Sequence, residues 1–434
     1  MKSTRKPAKG ELASQTRSVK GASRSIKTHR LTGEFTMKNI LLAGLSTAAL
    51  LTASTALADD HEVKLGIILG FSGPIESLTP DMADGAELAM SEISDSGNFL
   101  DGTTVSSVRA DSTCIDAAAA TAAAERLISA EGVAAIMGAD CSGVTTAIIN
   151  NATVPQGIVN ISPSATSPAL TDIEDNGLFF RTAPSDARQG IVLAEVVMDR
   201  GIDEVAVTFT NNDYGQGFAD AFVSAFEGMG GTVTLSAPHE DGRGDYSAEV
   251  GALAAAGGDA LVVLGYVDQG GLGVIRSSID TGAFDTFVGG DGMFGTSLVD
   301  NLGADLESWY GTVPGSAVGD DNPWPAVAEA ASVNHEGPFV GQSYDAAALI
   351  LLAMQAGGEA TSEAAAANML AVANAPGEQI QAGELARGLE ILAAGGDIDY
   401  VGATGVEFSD VGEPDGVFNE FELIDGSLDT VRTR

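Results

Sequence analysis

The residues best placed to do chemistry in this 434-residue chain lie at the ends of short apolar runs. Phe71-Ser72-Gly73-Pro74 follows the first run, and Gly138-Ala139-Asp140-Cys141-Ser142 and Ser162-Pro163-Ser164-Ala165-Thr166 follow later ones. Further along stand Asn211-Asn212-Asp213-Tyr214-Gly215, Gly265-Tyr266 and Gly290-Asp291-Gly292. Small hydroxyls dominate the earlier groups, tyrosines and an acid the later ones. Ser142 directly precedes a helical pattern, and a serine hydroxyl with the free N–H groups of a first helical turn suits a carboxylate. Ser164 and Thr166 would add donors. Asp291 can hold an ammonium, with hydroxyl and cation–π contacts from Tyr214 and Tyr266. Each group also has a plain structural reading: Ser142 as a helix cap, Ser164–Thr166 as a capped turn, Asp291 as the corner of a tight turn. A zwitterion needs both halves, and both stand at equivalent strand ends.

The same inventory argues against catalysis. His29 and His61 lie near the N-terminus, which leaves His239 and His335, both in polar, turn-like contexts that predict solvated rings. Gly341-Gln342-Ser343-Tyr344-Asp345 lacks the closing glycine of a nucleophile elbow, and Ser343 reads instead as the cap of the helix that follows. No P-loop occurs, and no Gly-x-Gly-x-x-Gly follows the first strand. Two cysteines and four histidines offer no metal-ligand spacing, so neither a metal nor a cofactor is expected.

The elements that must position these groups alternate. Val63–Leu69 is a nearly continuous apolar run, as in a strand buried on both faces. Met82, Ala86, Ala89 and Ile93 repeat at helical spacing; Thr103–Ala110 reads as a strand, and Asp116 caps an alanine-rich helix to Ala130. Val133–Met137, Val144–Asn151 and Ile158–Ile161 continue as strand, helix, strand. The alternation restarts with strands at Val205–Phe209, Thr232–Leu235, Ala260–Leu264 and Phe287–Gly289, separated by helices over Gly215–Met229, Tyr246–Ala256 and Gly271–Thr281. Pro314–Pro325 is a Gly- and Pro-rich break, followed by helices at Tyr344–Ala356, Ala364–Ala375 and Glu384–Ala394. Strand-like Gly405–Ser409 and Val417–Leu423 flank a Gly/Pro/Asp turn. Two runs of strand–helix alternation predict an α/β chain of two doubly wound parallel-sheet lobes, with ligands outside the carboxyl ends of the strands.

Charge and the N-terminus narrow the setting. From residue 59 onward 58 acids face 11 bases, a surface that repels phosphate backbones and anionic lipid, so neither nucleic acid nor membrane is an expected partner. Met37–Ala58 reads as a secretory signal peptide, with an apolar stretch over Ile40–Leu51 and a small-x-small site at Ala56-Leu57-Ala58. Residues 1–36 are basic and polar, and Met37 reads as the true start. Export with an even cysteine count predicts either one disulfide or two buried thiols for Cys114 and Cys141.

Taken together, these residues resemble the branched-chain amino-acid-binding (Leu/Ile/Val-binding) group of periplasmic binding proteins. The resemblance covers nearly all of residues 62–434. It is carried by Ser72-Gly73-Pro74-Ile75, Cys114 with Cys141, Ser162-Pro163-x-Ala165-Thr166-x-Pro168-x-Leu170, Phe180-Arg181-Thr182, Tyr214-Gly215-x-Gly217 and Gly290-Asp291-Gly292. It implies two lobes joined by three crossovers, residues 59–181 with 314–416 and 182–313 with 417–434. It further implies a monomer in the periplasm that closes on an amino acid and delivers it to an inner-membrane ABC permease. By position, Ser142, Ser164, Ala165 and Thr166 would hold the α-carboxylate, Asp291 and Tyr214 the α-ammonium, and Tyr266 would line the second-lobe wall. Cys114 and Cys141 would pair and secure the loop presenting Ser142. Leu78 and Asp140 depart from the family pattern at the side-chain pocket. An unpaired acid at Asp140 would be costly beside an aliphatic side chain, which leaves room for a polar or amine-bearing ligand. A sensory subunit and an α/β hydrolase would share the same class of fold, and the histidine supply opposes the hydrolase.

Overall fold

Strand–helix alternation resolves into two twisted sheets. A computed structural model describes residues 61–319 and 321–434; the segment expected to be a signal peptide and the residues before it lie outside these. The first sheet contains β1 (Glu62–Leu69), β2 (Thr104–Asp111), β3 (Ala135–Gly138), β4 (Asn160–Ser162) and β5 (Phe179–Arg181), ordered β2-β1-β3-β4-β5 and parallel throughout. The second holds β6 (Glu204–Thr210), β7 (Thr232–His239), β8 (Ala260–Leu264), β9 (Phe287–Gly289) and β10 (Trp309–Pro314) in parallel. A small parallel pair, β11 (Glu378–Gln381) and β12 (Ile398–Gly402), lies apart. The antiparallel hairpin β13 (Phe418–Ile424) and β14 (Ser427–Thr433) extends the second sheet beyond β10. Helices cover both faces, which is why β8 reads Ala-Leu-Val-Val-Leu with every residue buried.

The chain passes between the sheets three times. After β5 it enters the helix Asp186–Asp199, which packs on β10 and on the helix Asp213–Gly228. After β10 it returns to helices Trp324–Ala331, Val340–Gly357, Ser362–Ala373 and Leu385–Ala393 beside the first sheet. Before β13 it crosses again. Both sheets belong to one unit, Ala58–Arg434. The helix Val340–Gly357 is buried all round, every residue through Gln355 being shielded from solvent. Its Asp345 accepts bonds from the Tyr400 hydroxyl and from Ala403 and Thr404, and pins the loop beside the second crossing, where Ala317 N–H donates to the Thr404 carbonyl.

Three local expectations are corrected. Gly405–Ser409 forms no strand: Val406 and Phe408 are buried, but Phe408 exchanges both backbone hydrogen bonds with the Asn374 side chain (2.7 Å each) and not with a neighbouring strand. Ser343 does not cap its helix; it lies fully buried inside it, and Phe339 occupies the cap position in a left-handed conformation. His239 is not solvated. It ends β7, 1 % exposed, with Nδ1 2.9 Å from the Thr208 hydroxyl, and burial depresses its pKa to about 4. Strands β5, β10, β11, β12 and β14 and the helix Asp186–Asp199 add to the elements read from the sequence. Several of them are very short runs, whose periodicity carries little signal.

Candidate functional site

The carboxyl ends of the two sheets face one another across a small cavity. Its first-lobe wall comes from the turn after β1 and the segments after β3 and β4: Ile75, Leu78, Met82, Asp140, Cys141, Ser142 and Ser164. The second lobe supplies Tyr214, Tyr266, Asp291 and Gly292, and Phe339 closes one end. The lobes are shut on the cavity. One apolar cluster runs from Ile68 and Val144 through Ile75 and Leu78 to Tyr214, Tyr266 and Val267, and the Ser167 hydroxyl donates across the cleft to the Asp213 carbonyl (3.0 Å).

The acidic side is the better defined. Asp291 begins a single turn after β9 and is 2 % exposed. The Tyr214 hydroxyl donates to its Oδ1 (2.7 Å) and accepts from Gly292 N–H (3.2 Å). Both flanking glycines are needed for packing: a Cβ on Gly290 would come 2.3 Å from the Phe218 ring, and one on Gly292 would come 2.7 Å from the Gly265 carbonyl and 2.9 Å from the Tyr214 hydroxyl. The Gly-Asp-Gly run therefore exists to press backbone against the aromatic floor. Tyr214 and Tyr266 stack with centroids 5.3 Å apart, and Asn212 donates to the Tyr266 hydroxyl (3.2 Å) while its Oδ1 caps the helix bearing Tyr214.

A second carboxylate, invisible to sequence reasoning, joins the first. Asp186 opens the helix Asp186–Asp199 and is fully buried, with no hydrogen-bond partner on either oxygen among the described residues. Burial, and then the charge of Asp291, push its pKa well above the ordinary carboxylate range. Burial likewise raises Asp291, to about 6, against the bonds from Tyr214 and Gly292. Two buried acids that feel one another's charge cannot both be ionised cheaply without a compensating cation. In the sequence Ser185-Asp186 looks like any helix cap followed by a first-turn acid; the Ser185 hydroxyl does cap, accepting from Ala187 N–H (3.3 Å).

Ser142 lines the cavity from the first position of a seven-residue helix, with Cys141 at the cap position. The Ser142 oxygen accepts from Ser167 N–H (3.1 Å), leaving its proton to donate. Cys114 and Cys141 form a disulfide with Cα atoms 5.2 Å apart, tying the loop after β2 to this helix start.

Not every predicted residue reaches the cavity. Leu78, Asp140, Ser142, Ser164, Tyr214, Tyr266 and Asp291 line it; Ala165 and Thr166 do not. Ala165 packs into a small core with Ile149, Leu170 and Phe179, and its carbonyl accepts from buried Arg181 (3.0 Å). Thr166 is fully buried beside Asp186: its carbonyl accepts Asp186 N–H (2.8 Å), and its hydroxyl favours the charged carboxylate. Thr166 thus stands beside Asp186 and next in the chain to Ser167, whose N–H bonds the Ser142 hydroxyl. Ser164 lines the cavity, but its hydroxyl donates to the Asp140 carbonyl (3.1 Å) and its N–H to Ser162 (3.3 Å). Asp140 is not an unpaired acid either. Its carboxylate accepts from Gly70 N–H (2.5 Å), the Ser112 hydroxyl (2.9 Å) and Cys141 N–H (2.9 Å), clipping together the ends of β1, β2 and β3. Neither His239 nor His335 lines the cavity. Sequence reading misses Ile75, Met82 and Phe339 as lining residues; they lie on separate elements, and no sequence pattern brings them together.

This architecture, two hinged α/β lobes shut on a small cavity at their strand ends, is that of a solute-binding protein. The chain belongs to the periplasmic binding protein family, whose model matches residues 62–380, and within it to the Leu/Ile/Val-binding group. It is 28 % identical over 384 residues to a chemotactic signal transduction system substrate-binding protein, BasB, of Halobacterium salinarum, covering 85 % of this chain and 88 % of that one. A Leu/Ile/Val-binding protein homologue of Brucella melitensis is 30 % identical over 280 residues, 64 % of this chain and 72 % of the relative. Its fold is similar to that of the branched-chain amino acid transporter substrate-binding protein LivJ from Streptococcus pneumoniae, solved with isoleucine: TM-score 0.70 and 22 % identity, over 86 % of this chain and 99 % of that one.

Proposed function

We propose that this protein captures a small α-amino acid with an aliphatic side chain, by lobe closure, and presents it to an inner-membrane ABC permease, without turnover. The observation that carries the reading is the polarity of the cavity. Asp291 and Tyr214 line the cavity, with buried Asp186 near enough to feel the charge of Asp291, the Ser142 hydroxyl lines it as well, and Ile75, Leu78, Met82 and Phe339 form an apolar wall. The acids suit an ammonium, Ser142 a carboxylate, and the apolar wall a short hydrocarbon. Because Asp140 spends its charge on three donors of its own lobe, it leaves no demand for a cationic side chain. In this reading the ligand docks on the first lobe, and closure brings Tyr214, Tyr266 and Asp291 over it, shifting a pre-existing equilibrium.

Calorimetry against a panel of amino acids, amines and small carboxylates tests this. Leucine, isoleucine and valine should bind most tightly; preference for a diamine or for a carboxylate without an ammonium sinks the reading. Affinity should also fall with acidity. A carboxylate raised to about 6 by burial is ionised at pH 7.5 and mostly protonated at pH 5, where it no longer attracts an ammonium. The apparent Kd for leucine should therefore rise by roughly tenfold between these pH values; a flat profile would remove Asp291 from the site.

The relationship to BasB favours a second role, delivery of the closed form to a membrane sensor. Co-purification of the ligand-loaded protein with membrane extracts separates the roles: a methyl-accepting or other sensory protein supports the second, a permease the first.

A further inference from the structure

We propose that Asp268, which does not line the cavity, is the residue that sets how long the lobes stay shut. It stands just beyond β8 in the second lobe, yet it grips both ends of a first-lobe turn. Its backbone N–H donates to the Pro74 carbonyl (3.0 Å), and its Oδ2 accepts from Ser77 N–H (2.8 Å). The turn between these contacts carries Ile75 and leads directly into Leu78, two of the apolar residues that cover the ligand space. On its own lobe Asp268 is aimed by the Ser297 hydroxyl, which donates to Oδ1 (2.5 Å). The neighbouring backbone seats on the same turn: a Cβ built on Gly295 would come 3.0 Å from Leu78 Cδ2.

None of these cross-lobe bonds can exist in an open molecule, because their partners belong to different sheets. On the cavity's other side the cross-lobe bond is neutral, from Ser167 to the Asp213 carbonyl. A carboxylate accepting a backbone N–H is the stronger type. Asp268 is therefore a positioning residue: it reads closure through first-lobe backbone, holds Leu78 over the ligand, and acts on the rate of opening. This rests on the proposal that the ligand is held by lobe closure. Affinity differences among variants of one site fall mainly in the dissociation rate, and the latch acts there.

The test is single-molecule energy transfer between fluorophores on exposed Ser91 of the first lobe and exposed Asp220 of the second. Closed-state dwell times are recorded without ligand and with L-leucine. Asp268→Ala should shorten the closed dwell about tenfold in both conditions, the loss of one charge-assisted hydrogen bond. Leucine dissociation should quicken by the same factor, with an unchanged association rate and an unchanged order of preference among leucine, isoleucine and valine. Ser297→Ala, which leaves the carboxylate in place, should shorten the dwell less, and it carries the test if Asp268→Ala fails to fold. Wild-type dwell times in a folded variant overturn the latch. Absence of any leucine response in the wild type overturns the amino-acid reading instead, while the ligand-free dwell times still judge Asp268.

Discussion

Asp291→Ala lowers the affinity for leucine by about a hundredfold, the upper range for removing a hydrogen-bonded charge from a buried ligand ammonium. The loss has two parts. The ammonium loses its carboxylate, and the Tyr214 hydroxyl, which donates to Asp291 Oδ1 at 2.7 Å, loses its acceptor inside a fully buried pocket. Asp291→Asn separates them, since it keeps an acceptor for Tyr214 and removes only the charge. Tyr214→Phe should cost less than either, because the carboxylate remains. The change should appear in titration calorimetry as lost enthalpy. Wild-type affinity in Asp291→Ala would move the ammonium to Asp186 alone, and a matched loss in Asp186→Ala would show that the two acids act as one site. An unchanged Asp186 variant would place that acid outside recognition.

The second large effect concerns Cys114 and Cys141. Replacing both by serine should cost roughly 3–4 kcal/mol of unfolding free energy, the loop-closure value for a span of 27 residues. The bond also joins two features of the site. Cys141 stands at the cap position of the helix that begins with Ser142, and Thr113 and Cys114 both hold left-handed backbone, steadied by Asp111 and Ser112 side chains. Without the covalent tie, Asp140 remains the clip between the ends of β1, β2 and β3. Leucine affinity should consequently fall only a few-fold, far less than stability. Urea unfolding and calorimetry on the same double-serine sample check both statements; a loss of affinity as large as that of Asp291→Ala would show that the disulfide, and not Asp140, organises the carboxylate side.

The buried parallel strands were readable because they are continuous apolar runs ended by glycine, serine or asparagine. Ala260–Leu264 and Phe287–Gly289 occur at their expected limits. The Gly405–Ser409 segment shows where that logic fails. Its apolar residues are buried as a strand's would be, but a single asparagine side chain supplies the backbone partner that a neighbouring strand would have offered. Burial alone therefore does not distinguish a strand from a tethered loop. His239 failed in the opposite direction: its polar neighbours in sequence suggested exposure, while the sheet folded it beneath Tyr246.

The sequence by itself determined the two-lobed α/β class and the strand ends that face the cavity, where Asp291 and Tyr214 stand. These depend on local periodicity and on turn residues that stand next to one another in the chain. Tertiary structure alone decided which polar groups remain free for a ligand. Asp140 is spent on Gly70, Ser112 and Cys141, Ser164 on Asp140 and Ser162, and Thr166 is drawn to the side of Asp186. It also brought Asp186 beside Asp291 and Asp268 against Pro74 and Ser77, pairs far apart in the chain. The physical reason is that a hydrogen-bonding side chain is available only if no nearer partner claims it, and the competing partners are set by how the sheets and crossings pack.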